Sequence, residues 1–326
     1  MKYRDLGRTG LVVSEIGFGG WAIGGSWGPQ SEEDSLQALH RALDLGVTLI
    51  DTAAGYGNGQ SERVIGKVMK ERGAWGKVAV ATKIPPSPGL WPPSPYDRAE
   101  ERYGEQYLRE SLEERLANLG TDCVDILQLH TWSRAWNRDP HPLEVLQDLR
   151  DEGKLRFIGI STPEHDQNSF VQLFRGGLLD VVQVIYNIFE QEPAAELLPA
   201  AAEAGVGVIA RMPFDEGALT GKYTEETRFA ESDFRSRYFM GDRLKRVVRE
   251  VGKVREDLEG TTLGLPEAAL RFVLAHPAVS ATIPGMRNPD QAQANCSVSD
   301  RPDLPEGLLA KLRRHNWRRA FWYEGR

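Results

Sequence analysis

Short apolar runs alternate with longer amphipathic stretches along this chain. Residues 31–45 carry leucines at 36, 39, 43 and 45, the spacing of one helical face, and open on Ser31 with Asp34 three residues on. Gly46 closes that helix. The next run, Thr48-Leu49-Ile50-Asp51, reads as a buried strand bounded on its far side by small residues and glycines. Further helices are predicted at 61–70, 105–118, 142–152, 164–175, 194–204, 243–258 and 266–275, and further strands at 78–82, 124–129, 155–160, 181–185, 207–210 and 281–283. With a first strand beginning at Ile16, strands start near positions 16, 48, 78, 124, 155, 181, 207 and 281. Eight β units separated by helices predict an α/β fold of the (β/α)8 TIM-barrel type, with right-handed crossovers, over a single domain of residues 1–326.

The ends of the pattern add detail. Two extended pieces around Gly7-Arg8-Thr9-Gly10 predict an N-terminal β-hairpin that plugs the barrel floor, and 243–258 is an extra helix near the C-terminus. Residues 85–95 hold six of the 19 prolines and Trp91, which excludes a regular element and predicts a semi-rigid loop over the mouth. Gly17-Phe18-Gly19-Gly20-Trp21-Ala22 matches a dinucleotide fingerprint, but no helix opens on those glycines: Gly24, Gly25, Gly28 and Pro29 follow. A strand leading into a glycine-rich loop fits better than a Rossmann turn.

Composition narrows the function classes. A net charge of -7, with no basic stripe, argues against nucleic acid, and the basic run at 311–319 reads as a solvated helix face. No apolar run reaches membrane-spanning length, and Cys123 and Cys296 lie far apart without metal-ligand spacing. The expected setting is the cytoplasm, with no metal and no membrane or nucleic-acid partner; no pattern sets an oligomeric state.

Candidate chemistry gathers at the carboxyl ends of the predicted strands, where barrels of this type carry their sites. Asp51 ends one strand, Lys83 ends Val-Ala-Val-Ala-Thr-Lys, His130 ends Val-Asp-Ile-Leu-Gln-Leu-His, and the turn after Asp51 presents Tyr56. A phenol can protonate the alkoxide left by hydride addition to a carbonyl, for about 10² to 10⁴ in rate. An ordinary phenol near pKa 10 is a slow donor, so a cation that lowers that value helps; Lys83 would supply it and Asp51 would hold Lys83. His130 would orient the substrate oxygen as a neutral imidazole. Taken singly, each has a structural alternative: a packed tyrosine, a solvent-facing lysine, a turn-capping aspartate, a core histidine. Ser161 and Gln183, ending two strands, offer a hydroxyl and an amide to a carboxamide, with Asn187 a weaker candidate; Ser161 equally suits a helix N-cap before Pro163.

The pieces GFGGWAIGG, DTAAGYG, ATK, LQLH, GIS, VVQVIYN, GALTGKY and IPGMRNPDQAQAN, in that order over nearly the whole chain, resemble the aldo-keto reductase family. That resemblance implies a (β/α)8 fold, NADPH bound without a Rossmann domain (NADH also possible), and a tetrad carried by Asp51, Tyr56, Lys83 and His130. It implies a cofactor surface of Gly20, Trp21, Asp51, Ser161, Gln183, Arg211, Pro213 and Phe214. A loop over the pyrophosphate, with Gly217, Leu219, Gly221 and Lys222, continues that surface, and Gly285, Arg287, Gln291 and Asn295 complete it. Arg287 would offer a planar fork to the adenosine 2'-phosphate, and Gln291 and Asn295 share the adenine side of one helix. Trp21, Tyr56, Trp91, His130 and Trp132 would contact a small carbonyl substrate, with Trp136, Trp317 and Trp322 as further aromatic candidates and Arg134, Arg138 and Arg237 as charges favouring an acidic one. Three departures stand out: Thr162 where the family often has Asn, Arg211 where a nicotinamide-stacking Tyr is common, and Ala294 in place of a Glu. Carbonyl reduction is the implied activity; a sugar or polyol dehydrogenase and a cofactor-sensing channel β-subunit are the alternatives.

Overall fold

A computed structural model of the chain describes residues 1–317. It begins with a hairpin in which β1 (Tyr3–Asp5) pairs antiparallel with β2 (Val12–Ser14). Eight parallel strands follow in chain order: β3 (Phe18–Gly19), β4 (Leu49–Asp51), β5 (Ala79–Ile84), β6 (Val124–Leu129), β7 (Leu155–Ser161), β8 (Val181–Ile185), β9 (Gly207–Arg211) and β10 (Ala281–Thr282). The first meets the last: Gly17 N–H donates to the Thr282 carbonyl at 2.8 Å, and Thr282 N–H to Glu15 at 2.9 Å. The sheet thus curls into the expected (β/α)8 barrel.

The helices interleave as α1 (Glu32–Asp44), α2 (Gln60–Glu71), α3 (Ala99–Arg102), α4 (Glu105–Leu119), α5 (His141–Asp151), α6 (Val171–Phe174) and α7 (Leu197–Ala204). After β9 come α8 (Phe234–Tyr238), α9 (Arg243–Leu258) and α10 (Leu265–Leu274), and after β10, α11 (Pro289–Cys296) and α12 (Glu306–Arg313). Ser31 caps α1 by accepting from Asp34 N–H at 3.0 Å. Among the described residues no helix is long and apolar enough to cross a membrane.

Inside the barrel, Leu49, Ala81, Ile126, Val181, Ile209 and Ala281 pack into one apolar plug, which Leu6 and Val13 of the hairpin close from below. The hairpin turn can press this close because residue 7 is glycine, with φ 54°; a Cβ there would stand 2.3 Å from the Gly207 nitrogen. The floor is sealed, and the opposite end is left for chemistry.

The helix expected over 164–175 is corrected to the single turn of α6. Gln167 Oε1 accepts from the Thr162 hydroxyl at 2.9 Å and the Ile185 N–H at 2.7 Å, so side-chain bonds hold this stretch as a loop. The fingerprint-like glycines lead into a 3-10 turn at Ala22–Gly24, and the first α-helix opens only at Glu32. The basic run beginning at Lys311 starts within α12; Arg318, Arg319 and Trp322 lie outside the described residues.

Candidate active site

Strand register gathers the polar groups. In parallel pairing Asp51 stands beside Ala81, Lys83 beside Gln128, and Ser161 beside Gln183. Asp51, Lys83, Gln128 and Gln183 thereby reach one layer at the carboxyl ends of the strands. Lys83, with no solvent exposure, spends all three ammonium protons: on Asp51 Oδ2 at 2.6 Å, the Thr52 carbonyl at 2.8 Å and the Tyr56 hydroxyl at 3.2 Å. Asp51 accepts in turn from Gln183 Nε2 at 2.7 Å and Gln128 Nε2 at 3.4 Å. A buried ion pair survives only when its remaining hydrogen-bonding capacity is met in this way.

The turn after β4 delivers Tyr56. Ala54 N–H donates to the Lys83 carbonyl at 3.1 Å and Tyr56 N–H to Ala53 at 3.1 Å, which fixes the phenol over the lysine. Two glycines let the first loop lie against this one, since a Cβ on Gly57 would fall 2.1 Å from the Gly24 carbonyl oxygen. That approach sets Trp21 edge-on to Tyr56, ring centroids 4.9 Å apart. His130, whose N–H donates to Ile84 at 2.8 Å, stands edge-on to Tyr56 and to Trp91, each at 5.9 Å.

Electrostatics divide the cluster. Burial, then the Lys83 and Arg211 charges, push the His130 imidazole well below its usual range, so it is neutral at physiological pH. For Tyr56 the balance corrects the expectation that Lys83 would bring the phenol down. Burial raises its pKa and Lys83 opposes that, but Asp51 adds to the rise and the net shift is upward. Tyr56 is consequently protonated at neutral pH, held as a donor by geometry rather than by a lowered pKa.

These groups face a cavity of about 390 Å³. Asp51, Tyr56, His130, Trp21 and Trp91 line it, with Gln183, Arg211, Pro213, Phe214, Gly217 and Gly285. Gln183 turns its Nε2 to Asp51, while its Oε1 is buried with no hydrogen-bond partner among the described residues.

A model of the aldo/keto reductase family matches residues 15–316. The chain belongs to that family. It is 35% identical to aldo-keto reductase YhdN of Bacillus subtilis over 305 residues, 92% of this chain and 89% of the other. The fold superposes on the holo form of aldo-keto reductase AKR11C1 from Bacillus halodurans with TM-score 0.76, at 26% identity and 98% coverage of both chains. It superposes on the glycerol dehydrogenase AKR11B4 from Gluconobacter oxydans with TM-score 0.77, at 26% identity, covering 96% of this chain and 94% of that one. This aldo/keto reductase is an oxidoreductase whose family uses nicotinamide cofactors.

Other sequence candidates fall elsewhere. Trp132 is corrected from a substrate contact to a core residue: it is 1% exposed, donates from Nε1 to Asn137 at 2.8 Å, and packs edge-on against Trp136. Leu219, fully buried, belongs to the same apolar core. Ser161 is buried at its strand end, off the cavity wall, and caps no helix. Gly20 lies behind the wall, its N–H donating to Asp51 carbonyl at 2.8 Å. Gly221 accepts from Arg255 at 2.5 Å, and Lys222 is exposed. At the β10–α11 corner, Arg287 donates from Nε to Gln30 at 2.8 Å and from a terminal nitrogen to the Pro29 carbonyl. Gln291 accepts from the Arg287 N–H at 2.9 Å, and Asn295 donates to the Gly285 carbonyl at 3.4 Å. Asn187 braces its own loop and donates to Met212 at 2.9 Å. Arg134 pairs with Asp166 at 2.6 Å, outside the cavity, and Trp317 packs on Phe189.

Two of the three departures have structural answers, and nothing in the structure explains Ala294. Thr162 bonds Gln167, and its carbonyl accepts from Arg211 at 2.9 Å, so Arg211 crosses the cavity wall as a tethered cation. Gln128, Trp27, Glu164, Met212, Glu216, Phe234 and Tyr238 carry parts of the site that motif reading missed. A signal existed for one of them: Gln128 is an uncharged polar residue between two leucines of a buried strand, two positions before His130.

Proposed function

We propose that this aldo/keto reductase converts aldehydes or ketones to alcohols with NADPH, Tyr56 delivering the proton. The observation that carries the reading is the Lys83 ammonium set 3.2 Å from a buried, cavity-facing phenol. When bound, the nicotinamide would supply the hydride. Gln183 fits its carboxamide, because Oε1 is a buried acceptor on the cavity wall lacking a donor among the described residues. Gly217 and Gly285 on the same wall permit close approach of a ligand backbone. Arg287 would take the 2'-phosphate after exchanging its Gln30 and Pro29 contacts.

The chain's own residues account for the proton. Tyr56 donates its hydroxyl proton to the oxygen of the carbonyl as negative charge develops there, and Lys83, held by Asp51, stabilises the phenolate left behind. His130, neutral, gives an N–H to the same oxygen and fixes its direction. Trp21 and Trp91 wall the approach. The reaction is assigned to the cytoplasm, a setting supported by two unpaired cysteines.

Tyr56→Phe should abolish turnover of simple aldehydes, with NADPH affinity within about twofold of wild type. Retention of about a tenth of the wild-type rate would remove Tyr56 from the role. The similarity to a glycerol dehydrogenase supports a second reading, polyol oxidation at the same site. Initial rates in both directions near neutral pH separate the two.

A further inference from the structure

Five carboxyl or guanidinium side chains stand on the cavity wall: Asp51, Glu164, Arg211, Glu216 and Arg237. Four are answered. Asp51 is met by Lys83, and Arg211 by the Thr162 carbonyl, with Glu164 3.5 Å away. The Glu216 carboxyl has lost its water and sits beside Asp215, which pushes its ionisation up to about 8 and leaves it largely uncharged at neutral pH. Arg237 differs. Among the described residues its guanidinium has no hydrogen-bond or ion-pair partner, so the wall carries one uncompensated positive charge.

Its placement is not accidental to the fold. Helix α8 presents Phe234, Arg237 and Tyr238, positions i, i+3 and i+4, to the cavity together. That helix is pinned by a neighbouring arginine. Arg235 lies between the rings of Trp27 (4.7 Å) and Phe229 (4.9 Å), and bonds Asp233 at 2.6 Å and Tyr223 at 3.1 Å. One arginine of α8 is committed to scaffolding; the other is held out, unspent. From Tyr56 the wall runs through Trp21, edge-on at 4.9 Å, to Phe234, edge-on to Trp21 at 5.8 Å, and then along α8 to Arg237.

We propose that Arg237 sets substrate choice by binding a carboxylate, so that the preferred substrate is an aldehyde or ketone with a flat apolar body and an anionic end. This inference rests on the carbonyl-reductase reading. The carbonyl sits at Tyr56, the body lies along Trp21 and Phe234, and the guanidinium fork receives the two carboxylate oxygens. The same fork chemistry would suit the cofactor's pyrophosphate, so the test separates the two sources of oxyanion.

Rates with 4-carboxybenzaldehyde and 4-formylcinnamate are compared with those of their methyl esters. Wild type should favour the acids, and in Arg237→Met the acid-to-ester ratio of kcat/KM should fall about tenfold, through KM, with Arg237→Lys intermediate; the open, solvated site keeps the effect modest. Added salt should erode the wild-type preference. A ratio unmoved by Arg237→Met overturns the inference. So does an equal loss of NADPH and NADH affinity in Arg237→Met, which would give the guanidinium to the pyrophosphate. If wild type reduces neither acids nor esters, the reductase reading fails, and calorimetry with 4-methylbenzoate against 4-methylbenzamide decides Arg237 independently. Tighter binding of the anion, lost in Arg237→Met, upholds the carboxylate site, and indifference rejects it.

Discussion

Two ends of the proposed cofactor cleft are built on opposite terms. At one, Asp51, Lys83 and Gln183 are 2% exposed or less and bonded to one another at 2.6–2.7 Å, on strands whose pairing leaves them no other position. At the other, Arg287 is half-buried and lends its fork to Gln30 and Pro29 of the first loop, while Gln291 folds back on the Arg287 N–H. The first end is organised before any ligand arrives. On the proposed reading the second would exchange internal bonds for a phosphate, and would then be the place for cofactor discrimination, since a ligand without a 2'-phosphate has no reason to displace Gln30.

That contrast can be broken most forcefully at the ion pair. Lys83→Met leaves the Asp51 carboxylate buried without its cation and should cost about 3–5 kcal/mol in equilibrium denaturant unfolding, besides abolishing turnover. Adding Asp51→Asn to Lys83→Met should recover part of that loss. A single variant as stable as wild type would mean that the pair is not held as tightly as its geometry implies.

At the other end, Arg287→Ala should weaken NADPH binding about 10- to 100-fold, the worth of a charge-assisted pair, and move NADH less than twofold. Fluorescence titration of the two cofactors checks this, and equal losses would dismiss the 2'-phosphate role. Stability should change by under about 1 kcal/mol, in line with an accessible side chain.

A smaller effect lies in pH. His130 has a folded pKa well below its usual 6.5. Between those two values the unfolded chain binds a proton that the native chain refuses, so stability present above about pH 6.5 drains away as pH falls below it. His130→Gln should therefore lose less thermal stability than wild type between about pH 7 and about pH 5. Parallel Tm curves for the two proteins would remove His130 from the acid sensitivity.

Much of this was legible in one dimension. Short apolar runs, period-3.6 patterns and glycine punctuation located the eight strands and most helices, because a strand buried on both faces must be apolar along its length and a helix buried on one face must repeat each turn. The gathering of Asp51, Lys83, His130 and Tyr56 was legible for a related reason: Lys83 and His130 each end an apolar run, Asp51 does the same, and register does the rest. The short α6 was not legible, since what prevents the helix is Gln167 reaching across to Ile185 on another strand. Nor was the burial of Trp132, because an indole after a strand looks the same whether it turns to the mouth or to the core.

By itself the amino-acid order determined the barrel, its plugged floor and the identity of the groups at the strand ends, all consequences of local spacing. Tertiary structure decided the balance of forces on those groups. That Tyr56 stays protonated despite Lys83 depends on the water it has lost, and that Arg237, among the described residues, is the one charge of the wall left unanswered depends on what α8 places around it. Solvation and pairing are properties of neighbours in space, and they enter only once the chain has closed on itself.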